Sequence, residues 1–209
     1  MIELNNVECI RQENVVNSPA TFSCPAGQIV CILGHSGVGK TTLLDAIRGD
    51  VKFNGSINAS GSVFSVFQGD NQLFPWYTIE ENFRLANADP SWLSIAQQWN
   101  LIDLIKKKPN QLSGGQRQRF VLIRALTVSA DILLCDEPLN HLDSLTSKII
   151  AQDFKNIIQK MNRAVIWITH DIAEAAILAD KCFVMTKTKL ELINRNKINY
   201  DYISKYLMA

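Results

Sequence analysis

Gly34-His35-Ser36-Gly37-Val38-Gly39-Lys40-Thr41 places four residues between its first glycine and a Gly-Lys-Thr end, the spacing of a phosphate-binding loop. Glycines there let backbone N–H groups curl around a phosphate, and the helix that follows aims its positive end at the same point. Lys40 would neutralise β- and γ-phosphates and the Thr41 hydroxyl would bind magnesium; with Thr42 behind them they complete the candidate nucleotide-binding segment. A second motif, Ile132-Leu133-Leu134-Cys135-Asp136-Glu137-Pro138, ends four apolar residues in two acids. Asp136 suits magnesium, directly or through water, and Glu137 suits accepting a proton from an attacking water. Gln68 and His170 also close apolar runs, Val63 to Phe67 and Ala164 to Thr169. If those runs are parallel strands, their ends share one edge, and the groups they carry converge on one phosphate. Ser113-Gly114-Gly115-Gln116 fits a Ser-x-x-Gln capping box, and its two glycines bare the backbone so that the capped end can dock a phosphate. It lies well away in the chain from that edge. A phosphate touching both is more easily sandwiched between two molecules.

The elements that must position these groups follow from hydrophobic patterning. Ile29 to Leu33, Val63 to Phe67, Ile132 to Cys135, Ala164 to Ile168 and Cys182 to Met185 are continuous apolar runs, as expected of parallel strands covered on both faces. Leu43, Leu44 and Ile47 recur at helical spacing after the first run, with Gly49 as C-cap, and Phe120, Ile123 and Leu126 mark another helix. From about Asp70 to Leu126 only helical periodicity is visible, with turns at Ala88-Asp89-Pro90 and Pro109-Asn110. The order predicts an open α/β fold with a helical insertion between two strands. The tail from Leu190, with Tyr200, Tyr202, Ile203, Tyr206 and Leu207, suggests a packing helix.

Composition narrows the function classes. The 209 residues balance 21 Lys and Arg against 20 Asp and Glu, for a net charge of +1, so bulk electrostatics gives no hold on nucleic acid. No apolar run approaches the roughly 20 residues of a membrane helix, and no secretory signal is visible, so a cytoplasmic location is expected. Cys9, Cys24, Cys31, Cys135 and Cys182 show neither Cys-x-x-Cys nor zinc spacing and are expected to be reduced and buried.

Leu112-Ser113-Gly114-Gly115-Gln116-Arg117-Gln118-Arg119, lying between a phosphate loop and an Asp-Glu-Pro strand end, resembles the signature of ATP-binding cassette (ABC) transporter nucleotide-binding subunits. The resemblance covers nearly the whole chain. It implies a P-loop NTPase core with a mostly parallel sheet, formed by about residues 1–69 and 127–209 of a single domain. It also implies a helical subdomain at about 70–126 and a small N-terminal antiparallel β part. By that similarity Gln68 is the Q-loop glutamine and a magnesium ligand beside Thr41 and Asp136, Glu137 is the catalytic base, Leu139 to Asp143 is the D-loop, and His170 is the catalytic switch histidine. The family implies ATP and magnesium as cofactors. It further implies a head-to-tail dimer, most simply of two identical subunits, with two ATP molecules between phosphate loops and opposing signatures, coupled to integral membrane permease subunits at the cytoplasmic face. No nucleic acid is expected as a partner.

Leu73-Phe74-Pro75-Trp76 followed by Ile79-Glu80-Glu81-Asn82 is similar to importers of the nitrate, sulfonate, taurine and thiamine type. The cluster is either core packing or an anchor for the permease. Three features depart from the family pattern. The aromatic that stacks on adenine is replaced near Ile10 or Arg11, so the base is held weakly or by guanidinium stacking. Gln68 follows Lys40 by only 28 residues, which predicts a trimmed hairpin or loop. The D-loop reads Leu139-Asn140-His141-Leu142-Asp143, wording closer to soluble ABC proteins that act on ribosomes or DNA, the alternative reading of function.

Overall fold

The computed structural model describes residues 1–67, 69 and 72–207. An N-terminal antiparallel sheet is built on β1 (Ile2–Arg11), which turns tightly into β2 (Asn14–Val15) and also pairs with β3 (Ala20–Cys24). Gln12 and Glu13 at that turn both adopt positive φ, 48° and 65°, the backbone twist that two-residue hairpins favour. β4 (Ile29–Leu33) then feeds the phosphate loop and α1 (Lys40–Arg48), which ends on Gly49 at φ 88°. β5 (Lys52–Ala59) returns to the other edge of β1, and β6 (Val63–Val66) enters the main sheet. Among the described residues from 72 to 127 the regular elements are helical: α2 (Ile79–Leu85), α3 (Trp92–Gln98) and α4 (Gly114–Thr127), with two single 3-10 turns between them. β7 (Ile132–Asp136), α5 (Ser144–Met161), β8 (Ala164–Thr169), α6 (Ile172–Leu178), β9 (Lys181–Met185), β10 (Leu190–Ile193) and α7 (Tyr200–Leu207) complete the chain.

The main sheet runs β10-β9-β4-β8-β7-β6, parallel throughout except for β10. Every residue of β4, β7 and β8 is buried, which explains their unbroken apolar character. Alternate residues serve opposite faces. Cys31, Leu133, Trp167 and Val184 pack toward α4, α5 and α6, while Ile32, Leu134, Ile166 and Met185 pack toward α1 and the N-terminal sheet.

The residues Tyr200 to Leu207 form the expected helix, α7, and an unexpected strand precedes it. Leu190–Ile193 is a strand closing an antiparallel hairpin with β9, because its partner edge is otherwise unpaired; a helix begins only at Tyr200. The N-terminal strands carry the alternation of one buried and one exposed face, so they leave no continuous apolar run. The five cysteines are free and buried.

The helical stretch has its own aromatic centre. Phe83, fully buried on α2, stacks on Trp92 of α3 with centroids 4.4 Å apart and meets Phe120 of α4 edge-on at 6.2 Å. Phe83→Ala removes the ring shared by three helices, with an expected loss of about 3–5 kcal/mol in chemical unfolding. A loss under about 1 kcal/mol would mean that these helices do not share a common core.

Candidate active site

The parallel register puts the chemistry at one edge. Leu33 lies opposite Thr169, and Asp136 opposite Ile168, so β4, β7 and β8 end level with one another. The phosphate loop leaves β4 there, Glu137 follows β7, and His170 follows β8. Gly34, His35, Ser36, Gly37, Gly39, Lys40, Thr41, Thr42, Glu137 and His170 line a single cleft of about 720 Å³, with Arg11 and Val16 at its side. Val38 does not line it and packs instead in the apolar cluster that includes Met185 of β9. Gly39 is the position where glycine is required: its φ is 98°, and an added Cβ would lie 2.7 Å from the Val16 carbonyl oxygen.

Lys40 is nearly buried, and its Nζ donates to the Gly34 carbonyl at 2.7 Å and the His35 carbonyl at 2.8 Å. Desolvation pulls its pKa down, while Glu137 and Asp136 push it back up. Asp136 is 5% exposed, and burial raises its carboxyl pKa, against the hydrogen bond from the Thr41 hydroxyl. Thr41 and Asp136 therefore already meet as a pair of hard oxygens.

Glu137 takes φ 47°, a left-handed conformation costly for a non-glycine residue and characteristic of functional sites. Its N–H donates to the Ile168 carbonyl at 2.9 Å, which ties it to the neighbouring strand. Its Oε2 accepts a hydrogen bond from Asn140 Nδ2 and lies 3.3 Å from Nδ1 of the exposed His170. Asn140 is the partner that sequence reasoning passed over. Its only signal is the three-residue spacing from Glu137 across Pro138, the reach of a single turn.

Behind His170, the buried Glu174 accepts from the Trp167 indole at 3.3 Å and from the Thr169 hydroxyl. Thr169 Oγ1 in turn accepts the Asp171 N–H at 3.0 Å, so the turn that presents His170 is braced from below. Gln68 lies outside the described residues.

Ser113 caps α4 as its sequence predicts: its hydroxyl accepts the Gln116 N–H at 3.2 Å, and Gln116 Oε1 accepts the Ser113 N–H at 3.0 Å. This end packs on the loop after Glu137. A Cβ on Gly115 would stand 2.9 Å from Leu142 Cδ2 and 3.2 Å from the His141 carbonyl oxygen. Ser113, Gly114, Gly115 and Gln116 line a second, open cleft with His141 and Asp143, and it shares no lining residue with the phosphate-loop cleft.

The Leu-Phe-Pro-Trp cluster divides. Leu73 is buried, whereas Phe74 and Trp76 are 46% and 63% exposed. Asn82, fully buried, accepts the Phe74 N–H at 2.7 Å and donates to the Phe74, Tyr77 and Thr78 carbonyls. The Phe74–Trp76–Tyr77 rings, 6.1–6.4 Å apart, are thereby held as one surface patch.

A phosphate loop, an acidic strand end and a capped signature helix on this sheet define an ATPase of the ATP-binding cassette class. The ABC transporter family profile matches residues 18–140, more than half of the chain, and the chain belongs to that family. It is 36% identical over 172 residues to the aliphatic sulfonates import ATP-binding protein SsuB 1 of Paracoccus denitrificans, covering 79% of this chain and 71% of that one. It is 35% identical over 185 residues to the nitrate import ATP-binding protein NrtD of Synechococcus elongatus, covering 79% and 67%. Among solved structures it resembles an ATP-binding cassette described as a dimeric post-hydrolysis state bound to ADP and Pi. The TM-score is 0.78 at 26% identity, over 93% of this chain and 99% of that one.

The folded chain keeps the Asp136 proton to higher pH than the unfolded chain does. Ionised Asp136 therefore subtracts stability once pH rises above the ordinary carboxylate range. Asp136→Asn is expected to raise the melting temperature of the nucleotide-free protein at neutral pH, with a gain that shrinks on acidification toward that range. A variant that melts below wild type at neutral pH would overturn the assignment of Asp136 as a buried charge whose desolvation outweighs its contacts with Thr41 and Lys40.

Proposed function

We propose that this chain is the ATP-hydrolysing subunit of a membrane importer for a small solute, with two copies closing head to tail around two ATP molecules. The carrying observation is that the phosphate-loop cleft and the signature cleft of one chain have no residue in common. Separate clefts on one chain support a nucleotide shared with a second molecule. The import direction is supported by the relatives named for sulfonate and nitrate import.

In this reading the triphosphate takes over the Lys40 ammonium, which exchanges the Gly34 and His35 carbonyls for phosphate oxygens. Glu137 accepts a proton as water attacks the γ-phosphorus; the bond to the β–γ bridging oxygen breaks, leaving ADP and inorganic phosphate. Asn140 and His170 fix the Glu137 carboxylate, and His170, exposed at the strand end, contacts the γ-phosphate. Ser113, Gly114, Gly115 and Gln116 present the capped end of α4 to the partner's nucleotide. The Thr41 hydroxyl and the buried Asp136 carboxylate fit magnesium, which takes one or two protein oxygens besides phosphate; Gln68 is the remaining proposed ligand. Bound there, magnesium would supply charge neutralisation. The base is held beside Arg11, whose guanidinium is anchored to Asp45 at 2.6 Å and offers a flat cationic face where the family pattern has an aromatic ring. The Leu139 to Asp143 wording that favours the alternative, a soluble ABC protein acting on ribosomes or DNA, stands against the relatives named for import.

The Phe74–Trp76–Tyr77 patch is the proposed docking surface for permease subunits at the cytoplasmic face of the membrane. Among the described residues no helix is long and apolar enough to cross the bilayer itself.

Two experiments bear on these roles. Glu137→Gln is expected to keep ATP affinity while slowing turnover by at least about a hundredfold, trapping an ATP-bound dimer on size exclusion. Turnover within a few-fold of wild type would remove Glu137 as base. Trp76→Ser is expected to leave the ATPase of the isolated subunit unchanged while abolishing co-purification of a multi-span membrane protein. Undiminished co-purification would refer the patch to another role.

A further inference from the structure

A third cavity, of about 700 Å³, lies against the phosphate loop between the β9–β10 hairpin and α7. Its floor is apolar, made by Val38 and Met185, and the Tyr202 and Tyr206 rings form one wall. Lys187, Lys189 and Lys205 supply charge at the rim, and among the described residues that line it none is acidic. Lys189 is spoken for: its Nζ pairs with Glu191 at 2.5 Å and sits 5.1 Å from the Tyr206 ring centroid. Lys187 and Lys205 have no carboxylate partner among the described residues, so two uncompensated cations face an apolar and aromatic hollow.

The wall is built rather than accidental. Ile203 anchors α7 in the core with no exposure, Tyr206 Oη donates to Glu191 Oε1 at 2.8 Å, and the Tyr202 and Tyr206 hydroxyls lie 3.1 Å apart. The hairpin turn is closed by the Thr186 N–H on the Lys189 carbonyl at 2.9 Å. Volume and lining match those of small-molecule sites, which combine a mostly apolar surface with a few placed polar groups.

The cavity also touches the catalytic cleft. His35 and Ser36 line both, and the loop has no slack against β9, since a Cβ on Gly34 would lie 2.5 Å from the Met185 carbonyl oxygen. A molecule wedged against His35 and Ser36 alters the loop that cradles phosphate. We propose that this cavity is a regulatory site for a small organic anion with an apolar or aromatic body and one acidic head, coupled to nucleotide binding through His35 and Ser36. The binding part stands apart from the ATPase mechanism; the coupling part rests on the phosphate loop holding ATP.

Calorimetric titration of the full chain with 4-toluenesulfonate tests it, beside inorganic sulfate and the double variant Lys187→Glu/Lys205→Glu, whose exposed positions lie outside the ATP cleft. The expected result is one saturable site with Kd below about 1 mM, weakened at least about tenfold in the double variant, while the variant keeps wild-type ATP affinity. Sulfate, lacking the body, is expected to bind at least about tenfold more weakly than toluenesulfonate. Saturating ATP is expected to change the toluenesulfonate Kd by about fivefold or more, with toluenesulfonate changing the ATP Kd by the same factor. No saturable binding up to about 10 mM, or an equal Kd in the double variant, overturns the site. Equal binding of sulfate overturns the organic ligand, and mutually independent affinities overturn the coupling. A chain that binds toluenesulfonate as described yet neither binds nor hydrolyses ATP overturns the ATPase reading and the coupling, and leaves the site standing.

Discussion

One ammonium and two carboxylates share a poorly hydrated pocket at the edge of the main sheet, and the rest of the site is arranged around that constraint. Burial alone opposes the charge on Lys40 and on Asp136, and each offsets part of the other's cost. Lys40 is not left unsatisfied: it folds onto two carbonyls of its own loop, which are neutral acceptors and weaker partners than phosphate. In the proposed reading a triphosphate would replace these two bonds with stronger ones. The site's charges are preorganised, and little reorganisation is left for the moment of reaction.

Strand register makes this possible. With Leu33 level with Thr169 and Asp136 level with Ile168, a shift of one residue in β7 would turn Asp136 to the other face of the sheet and break the Glu137 N–H contact with Ile168. Because these strands are apolar on both faces, burial alone would tolerate such a slip, and the polar strand end sets the register. The strain at Glu137 is held by the same strands, with Asn140 and His170 meeting one carboxylate oxygen from two directions.

The sequence made the central strands, the phosphate loop, the acidic strand end and the α4 cap legible, since each is local. A continuous apolar run, a fixed glycine spacing and a Ser-x-x-Gln box need no tertiary information. The N-terminal sheet was visible only through the family resemblance, because β1 and β3 alternate faces and leave no continuous apolar run, and β5 exposes most of its residues. β10 was hidden by its short Leu-Glu-Leu-Ile run inside a segment whose tyrosines pointed to a helix. The division of Leu73 from Phe74 and Trp76 was undecidable from residue type, as it is set by Asn82, eight residues on from Phe74. The role of Asn140 depends on a side-chain contact with a strained backbone, and no spacing rule announces it.

The helical region links two surfaces that the fold keeps apart. At one end Asn82 of α2 pins the loop carrying Phe74, Trp76 and Tyr77; at the other, the first turn of α4 carries Ser113 and packs on the loop of His141 and Leu142. Between them Phe83 touches Trp92 and Phe120, so α2, α3 and α4 share one close-packed centre. Such a centre deforms little, and displacement of one end is passed to the other as rigid-body motion. Phe67, just after β6, lies with its ring centroid 4.5 Å from the guanidinium of Arg48 in the last turn of α1. The phosphate-loop cleft and the exposed aromatic surface have no residue in common, so whatever joins them must run through the packing shared by α2, α3 and α4.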